Sequence, residues 1–128
     1  MFKVTAVESK SIQEELCAAC KTEFIPDSFA YAAFDTVSPD DDTGDIIGIC
    51  QFSFIGGCSV HCLSPADGKE SDEAMLILGF AVLEFLRRCG FDKVTASIPK
   101  EYAFRLGFKR ENDTSVIDLN APRACGGH

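Results

Sequence analysis

The sequence predicts an α/β (α+β) domain in which a mixed central β-sheet carries helices on both faces. Three observations predict it. β-type runs, alternating or continuously apolar, recur along the chain between clusters of Gly, Pro and Asp. Helical patterns interrupt them more than once. The longest of these helices stands between two β runs, which makes the central portion a parallel β-α-β crossover. Read from the N-terminus, the order is β-α-β-β-β-α-β-α-β-β.

Each element has a local reason. Phe2 to Val7 alternates with period two, as a half-buried strand does. Ser11-Ile12-Gln13-Glu14 reads as a capping box, opening a helix with Ile12, Leu16, Cys20 and Phe24 on one stripe. Pro26 and Asp27 are expected to stop that helix. FAYAAFD (Phe29 to Asp35) and DIIGICQFSFI (Asp45 to Ile55) are strands, and VSPDDDTG between them is expected to be a solvated turn. Its aspartates lack the alternating ligands and distal Glu of an EF-hand loop, so no calcium site is expected. Gly56 and Gly57 turn the chain into the strand CSVHCLS. Ala74 to Leu86 is apolar on almost every face and is the expected core helix, covered on more than one side, with Arg87 and Arg88 near its C-terminus and Gly90 as its stop. FDKVTASI is the next strand, Pro99 to Leu106 a short helix, and GFKREN with TSVIDLN a closing hairpin. Residues 1–120 form one expected domain and 121–128 a flexible tail.

Composition narrows the function. The 128 residues are 46% hydrophobic and 25% charged, enough for a core but not for two domains. The net charge of −8 would repel a phosphate backbone, and no basic stripe appears, so nucleic acid is not an expected partner. No apolar run is long enough for a bilayer span and no signal peptide is apparent, so a cytoplasmic protein is expected. The seven cysteines are odd in number, and reduced thiols are the default reading. Cys17 and Cys20 form a C-x-x-C pair with no second pair at ligand spacing, so packing is preferred to zinc or redox chemistry and no metal site is expected.

The segment SPADGKESDEAML, Ser64 to Leu76, is the most telling. A strand, a Gly-bearing loop and a helix N-terminus together form an anion cradle, because unpaired N–H groups and the helix dipole converge there. Here Asp67, Glu70, Asp72 and Glu73 are opposed only by Lys69. Carboxylates in a first helical turn stabilise the dipole themselves, so the helix has an internal substitute for an anionic ligand. His61 lies on the strand leading into this loop and is the one conventional general base outside the terminal residue. Glu84 and Glu101 are alternatives if their helices face the same cleft. Strand alternation would put Cys62 on the opposite face from His61.

The element order, GDIIGICQF, SPADGKESDEAML and above all EYAFRLGFKREN together resemble the GNAT superfamily of acyl-CoA-dependent N-acyltransferases over nearly the whole chain. The resemblance implies a GNAT-like fold with a V-shaped opening between the strands at Cys58 to Leu63 and Phe91 to Ile98. Such an opening would hold the pantetheine arm of acetyl-CoA or another acyl-CoA, with Leu63 and Ala96 on its walls. The pyrophosphate would rest on Asp67, Gly68, Lys69, Glu70, Ser71 and Asp72. The acceptor would be a small-molecule or protein amine, with His61 or a water as base and Tyr102 as candidate acid, and a homodimer through the closing hairpin follows by analogy.

Two departures separate this chain from that pattern. The family's loop fits only with a one-residue deletion, placing Glu70 and Asp72 where small residues belong. The common catalytic tyrosine position is Ala103, and Tyr102 beside it is rotated by about 100° on a helix. The alternative reading is a non-catalytic GNAT-like module that has lost CoA binding and serves as a binding or interaction protein.

Overall fold

A computed structural model of the chain describes residues 2–37 and 44–120. The expected acidic turn at 40–42 and the expected tail at 121–128 lie outside the described residues. Within them the element order is the one expected: β1 (Phe2–Ala6), α1 (Lys10–Ala19), β2 (Phe29–Asp35), β3 (Asp45–Ser53), β4 (Ser59–Pro65), α2 (Asp72–Arg88), β5 (Lys93–Ala96), α3 (Lys100–Leu106), β6 (Lys109–Glu111) and β7 (Thr114–Asp118). The seven strands form one mixed sheet in the order β1-β2-β3-β4-β5-β7-β6. Every pairing is antiparallel except β4 with β5, the two strands joined by α2.

Two hydrophobic clusters lie on opposite faces of the sheet. The larger gathers Met75, Leu78, Val82, Leu83 and Leu86 of α2 against Phe52, Val60, Leu63 and Val94, with Ala103 and Leu106 of α3. The smaller sets Cys17 and Cys20 against Ala30, Ile49 and Ala66. The core helix is covered by the sheet and by α3, whose Leu106 packs where Gly79 leaves room. Its cover is incomplete, since Ile77 and Phe80 remain exposed. At Gly48 an added Cβ would lie 2.2 Å from Met75 Cε and 2.9 Å from the Ser64 carbonyl oxygen, so α2 sits directly on bare β3 backbone.

The first helix departs from its expected form. Its N-cap is Ser9, whose hydroxyl accepts from the Ile12 N–H at 3.4 Å, and not the expected box from Ser11. It ends at Ala19 with Cys20 as C-cap, well before Pro26. The buried residues of α1 are Gln13 and Cys17, while Ile12 is 50% exposed. The polar Gln13 displaces Ile12 because it has a partner: its amide donates to Gln51 Oε1 at 2.9 Å and Ser28 Oγ at 3.0 Å. Gln51 also accepts from the Ile25 N–H and donates to the Glu23 carbonyl, so the irregular segment after α1 is tied down by one buried amide.

At the other end, β6 and β7 turn through Asn112 and Asp113, both at positive φ (49° and 70°), the backbone of a tight two-residue hairpin. Gly107, at φ 103°, closes α3 in the left-handed conformation that glycine adopts without strain.

Candidate functional site

The site is built where β4 parts from β5. The strands pair at Ser59–Thr95 and Val60–Ala96, with Thr95 N–H on the Cys58 carbonyl and Ser97 N–H on the Val60 carbonyl. β5 then ends at Ala96 while β4 runs on to Pro65. Leu63 and Ala96, expected on the walls of this opening, are both buried.

His61 stands at the fork. Across β3 and β4 the register passes from Gln51–Cys62 to Phe52–Val60, leaving His61 as the extra residue of a β-bulge. Gln51 and Ser53 share the α1 face of β3, and both residues of the bulge reach that face. His61 Nε2 lies 2.7 Å from Ser53 Oγ, and Gln51 Nε2 donates to Cys62 Sγ at 3.3 Å. The expectation that His61 and Cys62 would face opposite ways is therefore corrected, because a bulge suspends the alternation on which it rested. Beside them Ser59 Oγ lies 2.9 Å from Thr95 Oγ1, and Thr95 donates to the Cys58 carbonyl at 3.3 Å. A short band of hydroxyls thus crosses β3, β4 and β5 around one imidazole.

The loop after β4 is closed on itself and on α1. Ala66 N–H donates to the Ile47 carbonyl at 2.7 Å, Asp67 N–H to the Ala19 carbonyl at 3.3 Å, and Lys69 N–H to the Ala66 carbonyl at 2.9 Å. Three of the loop's donors are thereby committed to protein oxygens. Gly68 takes the positive φ of 75° that the turn needs. Ser71 caps α2, accepting from the Ala74 N–H at 3.2 Å. Asp67 pairs with Lys21 at 3.3 Å, Lys69 approaches Asp45 at 4.0 Å, and Asp72 pairs with Arg105 at 3.5 Å. Glu70 is exposed.

Tyr102 lies on the same side as this loop. Burial raises its pKa, and the neighbouring carboxylates of Asp72, Glu101 and Glu70 raise it further, Asp72 also through a hydrogen bond. Ala103 is 4% exposed and belongs to the core. Glu84, the alternative base, is engaged by Arg87 and Arg88, and the Arg87 hydrogen bond leads in holding its carboxyl at about 2. Cys17 and Cys20 lie in the smaller core cluster, where burial pushes their thiols up to about 11 and about 12. No group of three or more His, Cys, Asp and Glu side chains suited to a metal occurs among the described residues. No helix among them is long and apolar enough to cross a membrane.

The residue that sequence reasoning missed is Ser53. The hairpin turning at Gly56 and Gly57 pairs Ser53 with Ser59, and the Ser53 hydroxyl reaches His61 diagonally on the same face. The bulge places Cys62, and not His61, opposite Gln51, and its signal is not in the residues.

The architecture is that of the GNAT acyltransferases, a seven-stranded mixed sheet whose central parallel strands splay. Solved structures with this fold include an N-acetyltransferase from Staphylococcus aureus Mu50, with 10% identity, a TM-score of 0.66, and coverage of 93% of this chain and 98% of that one. The GNAT family N-acetyltransferase YhbS from Escherichia coli, in complex with CoA, has 16% identity and a TM-score of 0.60, over 92% and 81% of the two chains. NAA60 from Arabidopsis thaliana, in complex with a bisubstrate analogue, has 12% identity and a TM-score of 0.56, over 91% and 96%. No family sequence model and no curated protein matches the chain. At these identities the likeness defines the fold and leaves the chemistry to the site itself.

Proposed function

We propose that this protein is an N-acyltransferase that moves an acyl group from a pantetheine thioester, acetyl-CoA or another acyl-CoA, to a small-molecule or protein amine. The observation carrying this reading is the fork itself: β4 leaves β5 after Val60 and bulges at that point to present His61. Beyond Val60 the β4 edge turned toward β5 offers main-chain groups to the amides of a pantetheine arm, between walls that include Leu63 and Ala96. An acyl carbonyl at the apex would lie beside His61, which takes the acceptor's proton as the nitrogen attacks. Tyr102 is the candidate acid for the departing thiolate. Burial first, and then the neighbouring carboxylates led by Asp72, raise its pKa and so keep the proton on the phenol.

A second reading is favoured by the loop. The committed donors of Ala66, Asp67 and Lys69, with Glu70, Asp72 and Glu73 beside them, oppose a pyrophosphate. They favour a non-catalytic GNAT-fold module that has lost ordinary CoA binding and holds another ligand or partner. For a homodimer, the sheet edge at β6 is the proposed surface.

Thermal unfolding with and without acetyl-CoA separates the readings. A donor that binds the folded state raises the midpoint, with about 2.7 kcal/mol of linkage at a hundredfold excess over its dissociation constant. A midpoint unmoved by acetyl-CoA and by longer acyl-CoAs removes the CoA-dependent enzyme and leaves the module.

A further inference from the structure

The Ser53–His61 pair is a nucleophile and a base in contact. In the tautomer that carries its proton on Nδ1, the imidazole accepts at Nε2 from the Ser53 hydroxyl, across 2.7 Å. The neighbouring hydroxyls are directed elsewhere: Thr95 donates to the Cys58 carbonyl, so Ser59 is the donor to Thr95. Ser53 alone among them faces a base, and both partners are half-buried at the place where the strands part.

We propose that Ser53 is the first acyl acceptor, so that transfer proceeds through an acyl-Ser53 ester formed with His61 as base. The inference rests on the acyltransferase reading above. In the first step His61 Nε2 takes the Ser53 proton as Oγ bonds to the thioester carbonyl carbon. The carbon–sulfur bond breaks, its electron pair leaves on sulfur, and the imidazolium returns the proton to give a free thiol. In the second step an amine attacks the ester carbon and gives its proton to His61. The carbon–oxygen bond breaks, and the proton passes from His61 to Oγ, restoring the hydroxyl. One imidazole thus serves both as base and as acid. That economy suits a chain whose Ala103 is buried in the core and whose Tyr102 interacts with Asp72.

The test needs no knowledge of the amine. The full chain is incubated, without acceptor, with acetyl-CoA and separately with acetyl-pantetheine, which carries no phosphates to meet the acidic loop. Intact mass and peptide mapping follow the adduct, and thermal unfolding follows donor binding. The expected result is one acetyl group on Ser53, absent from Ser53→Ala although that variant still shows the donor-induced midpoint shift. His61→Ala should slow its formation at least about a hundredfold. Ser53→Cys should restore an adduct, now a thioester cleaved by neutral hydroxylamine. A midpoint shift with no adduct, or an adduct on Cys62 instead, overturns the inference while leaving the acyltransferase reading in place. No shift with either donor removes both.

Discussion

At the scale of single residues, the chemistry turns on which side chains the environment has already engaged. Asp72 illustrates it, since its carboxylate holds Arg105 and interacts with the Tyr102 hydroxyl beside the proposed pyrophosphate loop. Unit charges at 4 Å interact by about 4 kcal/mol near a protein surface and about 1 kcal/mol in water. Removing two carboxylates as Glu70→Gly with Asp72→Gly is therefore expected to tighten acetyl-CoA binding by at least about tenfold, measured by titration calorimetry. Unchanged affinity would mean that the committed amides of Ala66, Asp67 and Lys69, and not the charges, close the site. The thiols give a pH signature. Burial raises Cys17 to about 11 and Cys20 to about 12 from an ordinary value of 9.0, with neighbouring charge, Cys62 included, adding to both. The stability tied to keeping them neutral is complete below pH 9 and is lost as pH rises through the folded-state values, because the unfolded thiols release their protons first. Denaturant midpoints should fall across that alkaline window, and less steeply in Cys17→Ala with Cys20→Ala. Equal slopes in the two proteins would refute the assignment.

At the scale of elements, the contacts that hold the fork in place are main-chain approaches and caps. Gly48 lets α2 rest on β3, and an added methyl would meet both the Met75 side chain and the Ser64 backbone. Met75 can shift but the carbonyl cannot, so Gly48→Ala is expected to cost about 1–3 kcal/mol in equilibrium unfolding. A neutral result would show that β3 and α2 separate freely. Ser71 caps the same helix, and Ser71→Ala is expected to cost about 1 kcal/mol, provided that Asp72 and Glu73 do not take over the freed donors. The elements were legible because their causes are local. Alternation marks β1, and Gly90 at φ 92° stops α2 as the sequence suggests. The first helix was misread at both ends for a non-local reason: Gln13 is buried by Gln51, which lies 38 positions away, and no periodicity of apolar residues announces a buried amide pair.

At the scale of the whole molecule, charge and topology act together. The chain carries a net charge of −8 and the proposed CoA donor is a polyanion, so long-range electrostatics oppose their encounter. Screening should relieve that opposition. The midpoint shift produced by acetyl-CoA is expected to grow between about 50 mM and about 500 mM salt, where the Debye length shortens several-fold; a shift that shrinks would reveal a cationic contact that offsets the loop. Acetyl-pantetheine, lacking phosphates, should show little salt dependence. The sequence by itself determined the order of strands and helices, the parallel crossover around α2 and the excess of carboxylates at its N-terminus, because periodicity, capping and composition act over a few neighbouring residues. Only the tertiary structure decided that β4 bulges at His61, that Ser53 meets its imidazole, that Cys62 turns to the same face, and that the loop after β4 spends its amides on Ile47, Ala19 and Ala66. Those outcomes depend on register between strands and on packing across the sheet, where a shift of one residue reverses a face and no local pattern records it.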